Sequence, residues 1–111
     1  MAKTINLNGK KLKLAFSLGA AVNYETMTGQ SALELSKFQD NQKLAPVAEL
    51  GYCMLVASNP KEDVPEFQDF MASLDTIKKI EEFTKTFMDA LAEFYRPDKS
   101  AKKTEDAAKN G

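Results

Sequence analysis

A chain of 111 residues, 43% hydrophobic and 28% charged, has the size and balance of one globular domain with a modest core. Its net charge of −1 gives no general attraction to nucleic acid or to an anionic membrane. Histidine is absent and Cys53 is the lone cysteine, which removes an internal disulfide, an ordinary zinc site and the commonest general base.

Residues 4–14 alternate apolar and polar around Asn8-Gly9. Asn-Gly is the pair best able to occupy the two positive-φ positions of a type I′ turn, so the stretch is predicted to be a β-hairpin. With Asn8 and Gly9 as the loop, Leu7 lies opposite Lys10 and Ile5 opposite Leu12. Ile5, Leu7, Leu12 and Leu14 then share one face, and Thr4, Asn6, Lys11 and Lys13 the other. A lone hairpin is marginal in water, so the oily face must lie on helices or join strands of another copy. Those four apolar residues are the predicted self-association edge.

Ser17 is a suitable N-cap and Gly29 a suitable C′ residue for a first helix, with Leu18, Ala21 and Val22 along one side and Tyr24 and Met27 nearby. Ser31 and Glu34 have capping-box spacing for a short continuation through Leu35 and Phe38. After a polar loop, residues 44–57 (LAPVAELGYCMLVA) are apolar nearly all round, with Pro46 in the tolerant first turn. That suits a central helix packed on several sides. Gly51 within it marks either a close crossing or a loose spot, and Ser58-Asn59-Pro60 ends it.

Asp63 and Glu66, spaced as a capping box around Pro65, open a helix with Val64, Phe67, Phe70, Met71 and Leu74 on one side. The last helix starts at Asp75 or Thr76 and carries the stripe Ile77, Ile80, Phe83, Phe87, Met88, Leu91, Phe94 and Tyr95. Its polar side includes a Glu81–Lys85 pair in the favourable order, and Pro97 closes it. The remainder has no apolar side chain larger than alanine, too little to offset its ordering entropy. The expectation is an α+β, mainly α domain over residues 1–97, a hairpin on about four helices, with a disordered tail over 98–111.

Residues of the kind that perform chemistry are scattered. Cys53 has no basic neighbour to stabilise a thiolate, Glu81 and Glu82 point to different sides of their helix, and the five glycines form no phosphate loop. No enzyme activity, cofactor or metal is expected. No run approaches the ~20 apolar residues of a spanning helix, and with no secretory pattern at the N-terminus a cytoplasmic setting is expected. The apolar content exceeds what one small core needs. The residues predicted to supply contact surface for a partner are Phe67, Phe70, Met71, Phe83, Phe87, Leu91, Phe94 and Tyr95.

The string Leu7-Asn8-Gly9-Lys10 with Leu12, Leu14 and Phe16, then a small-residue helix ending Met27-Thr28-Gly29 and the continuation Ser31-Ala32-Leu33, resembles the N-terminal half of tail assembly chaperones from tailed bacteriophages. The likeness is clear over the first third of the chain and in outline beyond. It implies a non-enzymatic protein of the bacterial host cytoplasm. Such a protein binds the tape-measure protein, recruits tail tube subunits, and is absent from the finished particle. The alternative is a structural component of the virion, a connector or tail-completion subunit, whose hairpins pair between copies in a homo-oligomer. A nucleic-acid regulator using Lys10, Lys11 and Lys13 ranks below both, because those lysines have no aromatic platform.

Overall fold

The computed structural model describes residues 3–34, 38 and 43–95; the tail, Pro97 and residues 35–37 of the continuation expected after Glu34 lie outside the described residues. Asn8 (φ 52°) and Gly9 (φ 86°) take the left-handed conformations that the turn demands. They join β1 (Lys3–Leu7) to β2 (Lys10–Leu14) in the expected register, Leu7 opposite Lys10 and Ile5 opposite Leu12. Four α-helices follow among the described residues: α1 (Leu18–Thr28), α2 (Ala45–Ser58), α3 (Phe67–Ser73) and α4 (Ile77–Tyr95), with a 3-10 turn at Lys61–Asp63. The fold is α+β and mainly α, a two-stranded hairpin laid on a helical layer.

The hairpin is held by what lies beneath it. α2 packs against β2 and α4 against β1, and Leu7, Leu12 and Leu14 are buried between them. Lys3 and Lys10 reach down from the same face to Glu93 and Asp63, each at 3.5 Å. Both pairs are exposed and contribute little; the leucines hold the hairpin in place.

Each helix is bounded by local chemistry. Ser17 accepts from the Ala20 amide at the start of α1, and Gly29 (φ 75°) ends it with its N–H on Glu25 O at 2.7 Å. Pro46 sits in the first turn of α2. The Thr76 hydroxyl accepts from the Lys79 amide and so caps α4. At the far end of α2, Asn59 Nδ2 donates to Leu55 O at 2.9 Å and to Lys13 O at 2.8 Å, while its Oδ1 accepts from Lys13 N at 2.9 Å. One amide side chain thus closes a helix and covers the outer edge of β2.

Four expectations are corrected. In α1 the buried residues are Ala20, Ala21 and Tyr24, while Leu18 and Val22 are exposed. α2 packs along α1, where a Cβ at Gly19 would make ordinary contact with Ala57 Cβ at 3.6 Å, and Tyr24 fills the core beside Phe38. α3 begins at Phe67 and not beside Asp63, because Val64, which precedes Pro65, is held extended (φ −100°, ψ 127°) and Asp63 ends the 3-10 turn. Lys85 pairs with Asp89 at 3.3 Å in place of Glu81, a choice between two exposed partners one turn away on either side. The hairpin residues expected at a self-association edge point into their own chain: Leu7, Leu12 and Leu14 are buried, and Ile5 packs on the same core.

The core is continuous from hairpin to α4. Its aromatic rings form a chain: Phe67 and Tyr52 meet Phe70, Phe70 meets Phe83 (5.3 Å), Phe83 meets Phe87, Phe87 meets Phe38, and Phe38 meets Tyr24 (5.5 Å). Gly51 is where it touches backbone. A methyl placed there would overlap Phe83 Cζ and sit 2.8 Å from Cε2, so this glycine marks a close crossing.

Gly51→Ala should therefore destabilise the fold by about 1–3 kcal/mol despite alanine's better helix propensity. Urea unfolding should show a lower midpoint at unchanged slope. Asn59→Ala, which strips the amide and carbonyl of Lys13 of their partner, should cost about 1–2 kcal/mol in the same assay.

Candidate interaction surface

An apolar concavity lies where α2, α3 and α4 meet. α3 is a seven-residue helix, too short to roof the space between the start of α2 and the start of α4. The result is a notch of about 140 Å³. Val47, Phe70 and Phe83 form its buried floor; Leu44, Met71, Leu74 and Ile80 form its rim. Leu44 is 55% and Met71 44% exposed. Ile77, one turn before Ile80 on α4, is 70% exposed and extends the apolar strip along the helix. Thr84 contributes the one side-chain hydroxyl in the lining.

Apart from the Thr84 hydroxyl the lining is apolar, with no acidic or basic side chain, and it suits apolar side chains presented by another molecule. No charged side chain lines it. Lys79 is hydrogen-bonded to Asp75 at 3.0 Å and holds that carboxyl below its ordinary pKa. Among the described residues no three His, Cys, Asp or Glu side chains converge as metal ligands, and no helix is long and apolar enough to cross a membrane.

The eight residues expected to form one contact stripe are distributed otherwise. Phe87 and Leu91 are buried in the core, where the hairpin and α2 cover that side of α4, and Phe70 and Phe83 are buried as the floor of the notch. Phe67 is half-buried against Tyr52 at 5.1 Å. Met71 stands on the notch rim. Phe94, half exposed, lies at the opposite end of α4 against Phe16 at 4.6 Å. Tyr95 is the last residue of α4, and its side chain falls outside the described set. The structure brings Phe70, Met71 and Phe83 together and leaves the others elsewhere.

Leu44, Ala48, Leu74 and Ile80 are lining residues that the sequence reading did not single out for contact. Leu74 and Ile80 were legible as apolar members of helical stripes. Leu44 carried a sharper signal: it stands at the N-cap position of α2, where Ser, Thr, Asp or Asn is the rule.

Cys53 is a packing residue. It is buried on α2, with its thiol 3.8 Å from Met27 Sδ. Burial, helped by the nearby Glu49 carboxylate, pushes its pKa up to about 11. Burial likewise raises Tyr24 and Tyr52, aided by Glu49 and Glu66 respectively. A raised acid pKa favours the neutral form in the folded state. Its contribution is complete below about pH 9 and is lost as the pH climbs toward 11. Unfolding free energy should fall across that window, Cys53 contributing roughly 1.4 kcal/mol per pH unit. The Cys53→Ala variant, measured by urea unfolding at stepped pH, should show a shallower decline. Comparison of the chain with protein-family models, with curated proteins and with solved structures finds no match.

Proposed function

We propose that the protein is a tail assembly chaperone of a tailed bacteriophage, acting without enzymatic chemistry in the host cytoplasm. In this reading it covers apolar stripes on the helices of the tape-measure protein until the tube polymerises around them, and it also recruits tail tube subunits. The observation that supports it is the open apolar notch between α2, α3 and α4, rimmed by Leu44, Met71, Leu74 and Ile80. Its size matters for mechanism. About 140 Å³ admits one or two apolar side chains, each contributing about 1.5–3 kcal/mol on burial before the costs of association. That sum corresponds to weak binding in rapid exchange. A helical client rich in such side chains would be held by many copies and stripped easily. No buried charge pair is present in the lining to lock the contact.

A virion connector built by hairpin pairing has less support. Leu7, Leu12 and Leu14 are committed to their own core, and Asn59 occupies the outer edge of β2.

Co-expression with the tape-measure protein of its own genome tests the reading. The wild-type protein should raise the soluble fraction of the tape-measure protein. Met71→Glu and Leu44→Glu, both at exposed rim positions, should abolish the effect while shifting thermal stability by no more than about 0.5 kcal/mol. Purified tails should lack the protein. Unchanged solubility with the wild-type chain would refute the proposal.

A further inference from the structure

We infer that the outer edge of β1 is a second docking site, one that takes an extended peptide segment of a partner as a third strand of the sheet. The two edges of the hairpin differ. In a two-residue hairpin closed by Leu7 and Lys10, residues 3, 5 and 7 bond across to β2, and Thr4 and Asn6 turn their N–H and C=O groups outward. Lys13, the partner of Thr4, also faces outward, as its two bonds to Asn59 require. Asn59 blunts the edge of β2. Among the described residues nothing bonds to the outward backbone groups of Thr4 and Asn6. An open edge of this kind is a template for strand addition.

The space beside that edge selects the occupant. A hollow of about 520 Å³ runs along β1 and the turn, walled on the far side by Lys79, Glu82 and Thr86 of α4 and floored by Leu74 and Phe83. Antiparallel pairing of β1 with the β1 of a second copy uses a two-fold axis normal to the sheet, so both α4 helices would have to share one face of the joined sheet. A single extended strand brings no helix to that face. Charge narrows the choice further. Lys79 and Lys85 are each paired with an aspartate, Asp75 and Asp89, whereas Glu82 has no ion pair among the described residues. The segment therefore carries a basic side chain toward Glu82 and an apolar one toward Leu74 and Phe83. The chain's own residues beyond Pro97 hold nothing apolar larger than alanine and do not meet that requirement.

The probe is the capped peptide acetyl-Thr-Val-Thr-Lys-Thr-Val-amide, titrated into the full chain and followed by amide NMR. The Thr4 and Asn6 amides should shift and exchange more slowly with solvent, leaving the Lys13 amide unchanged. Two further peptides are N-methylated, one at the threonines and one at the alternate positions. Because strand amides alternate in direction, one pattern should weaken binding by about tenfold or more and the other by no more than about twofold. Glu82→Lys should weaken the parent peptide by about fivefold. Absence of binding at millimolar peptide, shifts centred away from β1, or an equal effect of the two methylation patterns would overturn the inference.

Discussion

The contact on which this fold depends is the ring of Phe83 lying on the backbone of α2 at Gly51. No side chain of α2 stands between its backbone and that ring, so α4 comes close enough for Phe87 and Leu91 to enter the same core as Leu50 and Met54. The ring chain from Tyr52 and Phe67 through Phe70, Phe83, Phe87 and Phe38 to Tyr24 spreads that single crossing through most of the domain. Close-packed interiors transmit such constraints because side chains have few alternative positions. Moving Phe83 would therefore move α3, which packs on it through Phe70.

The same ring separates the two candidate docking surfaces. Phe83 and Leu74 line both the apolar notch on one side and the hollow beside β1 on the other. The notch presents oil and no hydrogen-bonding backbone; the β1 edge presents backbone donors and acceptors above an apolar floor. One suits the stripe of a helix, the other an extended segment. Their common wall means that neither surface can be repacked without the other. Both exist because the short α3 and the two-stranded hairpin are too small to cover the helices they sit on. Leu44, Met71 and Ile77 stay exposed for that geometric reason, and not through any failure of the main core, which buries Tyr24, Phe38, Phe70 and Phe87 completely.

The hairpin, its register and its turn were readable from residues 4–14, because Asn-Gly fixes the loop and strict alternation fixes the faces. The ends of α1, the entry of α2 at Pro46 and its exit at Asn59 were readable for the same kind of reason: caps and prolines act within a few residues of where they stand. Local chemistry failed at α3, where Asp63 and Glu66 have capping spacing but the extended Val64 before Pro65 delays the helix to Phe67. It failed again on α1, where Leu18 and Val22 marked an apolar side that faces water.

By itself, then, the sequence determined the α+β class, the kinds and order of the elements and the apolar surplus, since propensity, capping and periodicity are written in neighbouring residues. Only the tertiary structure decided which apolar residues are surplus. Phe83, Phe87 and Leu91 share a stripe with Ile77 and Phe94, and nothing along the helix distinguishes them. The choice is made by what lands opposite: Gly51 admits Phe83, the hairpin leucines and α2 help cover the middle of α4, and the ends of α4 extend past their cover. Burial is a property of facing surfaces, and facing surfaces are brought together by residues far apart in the chain.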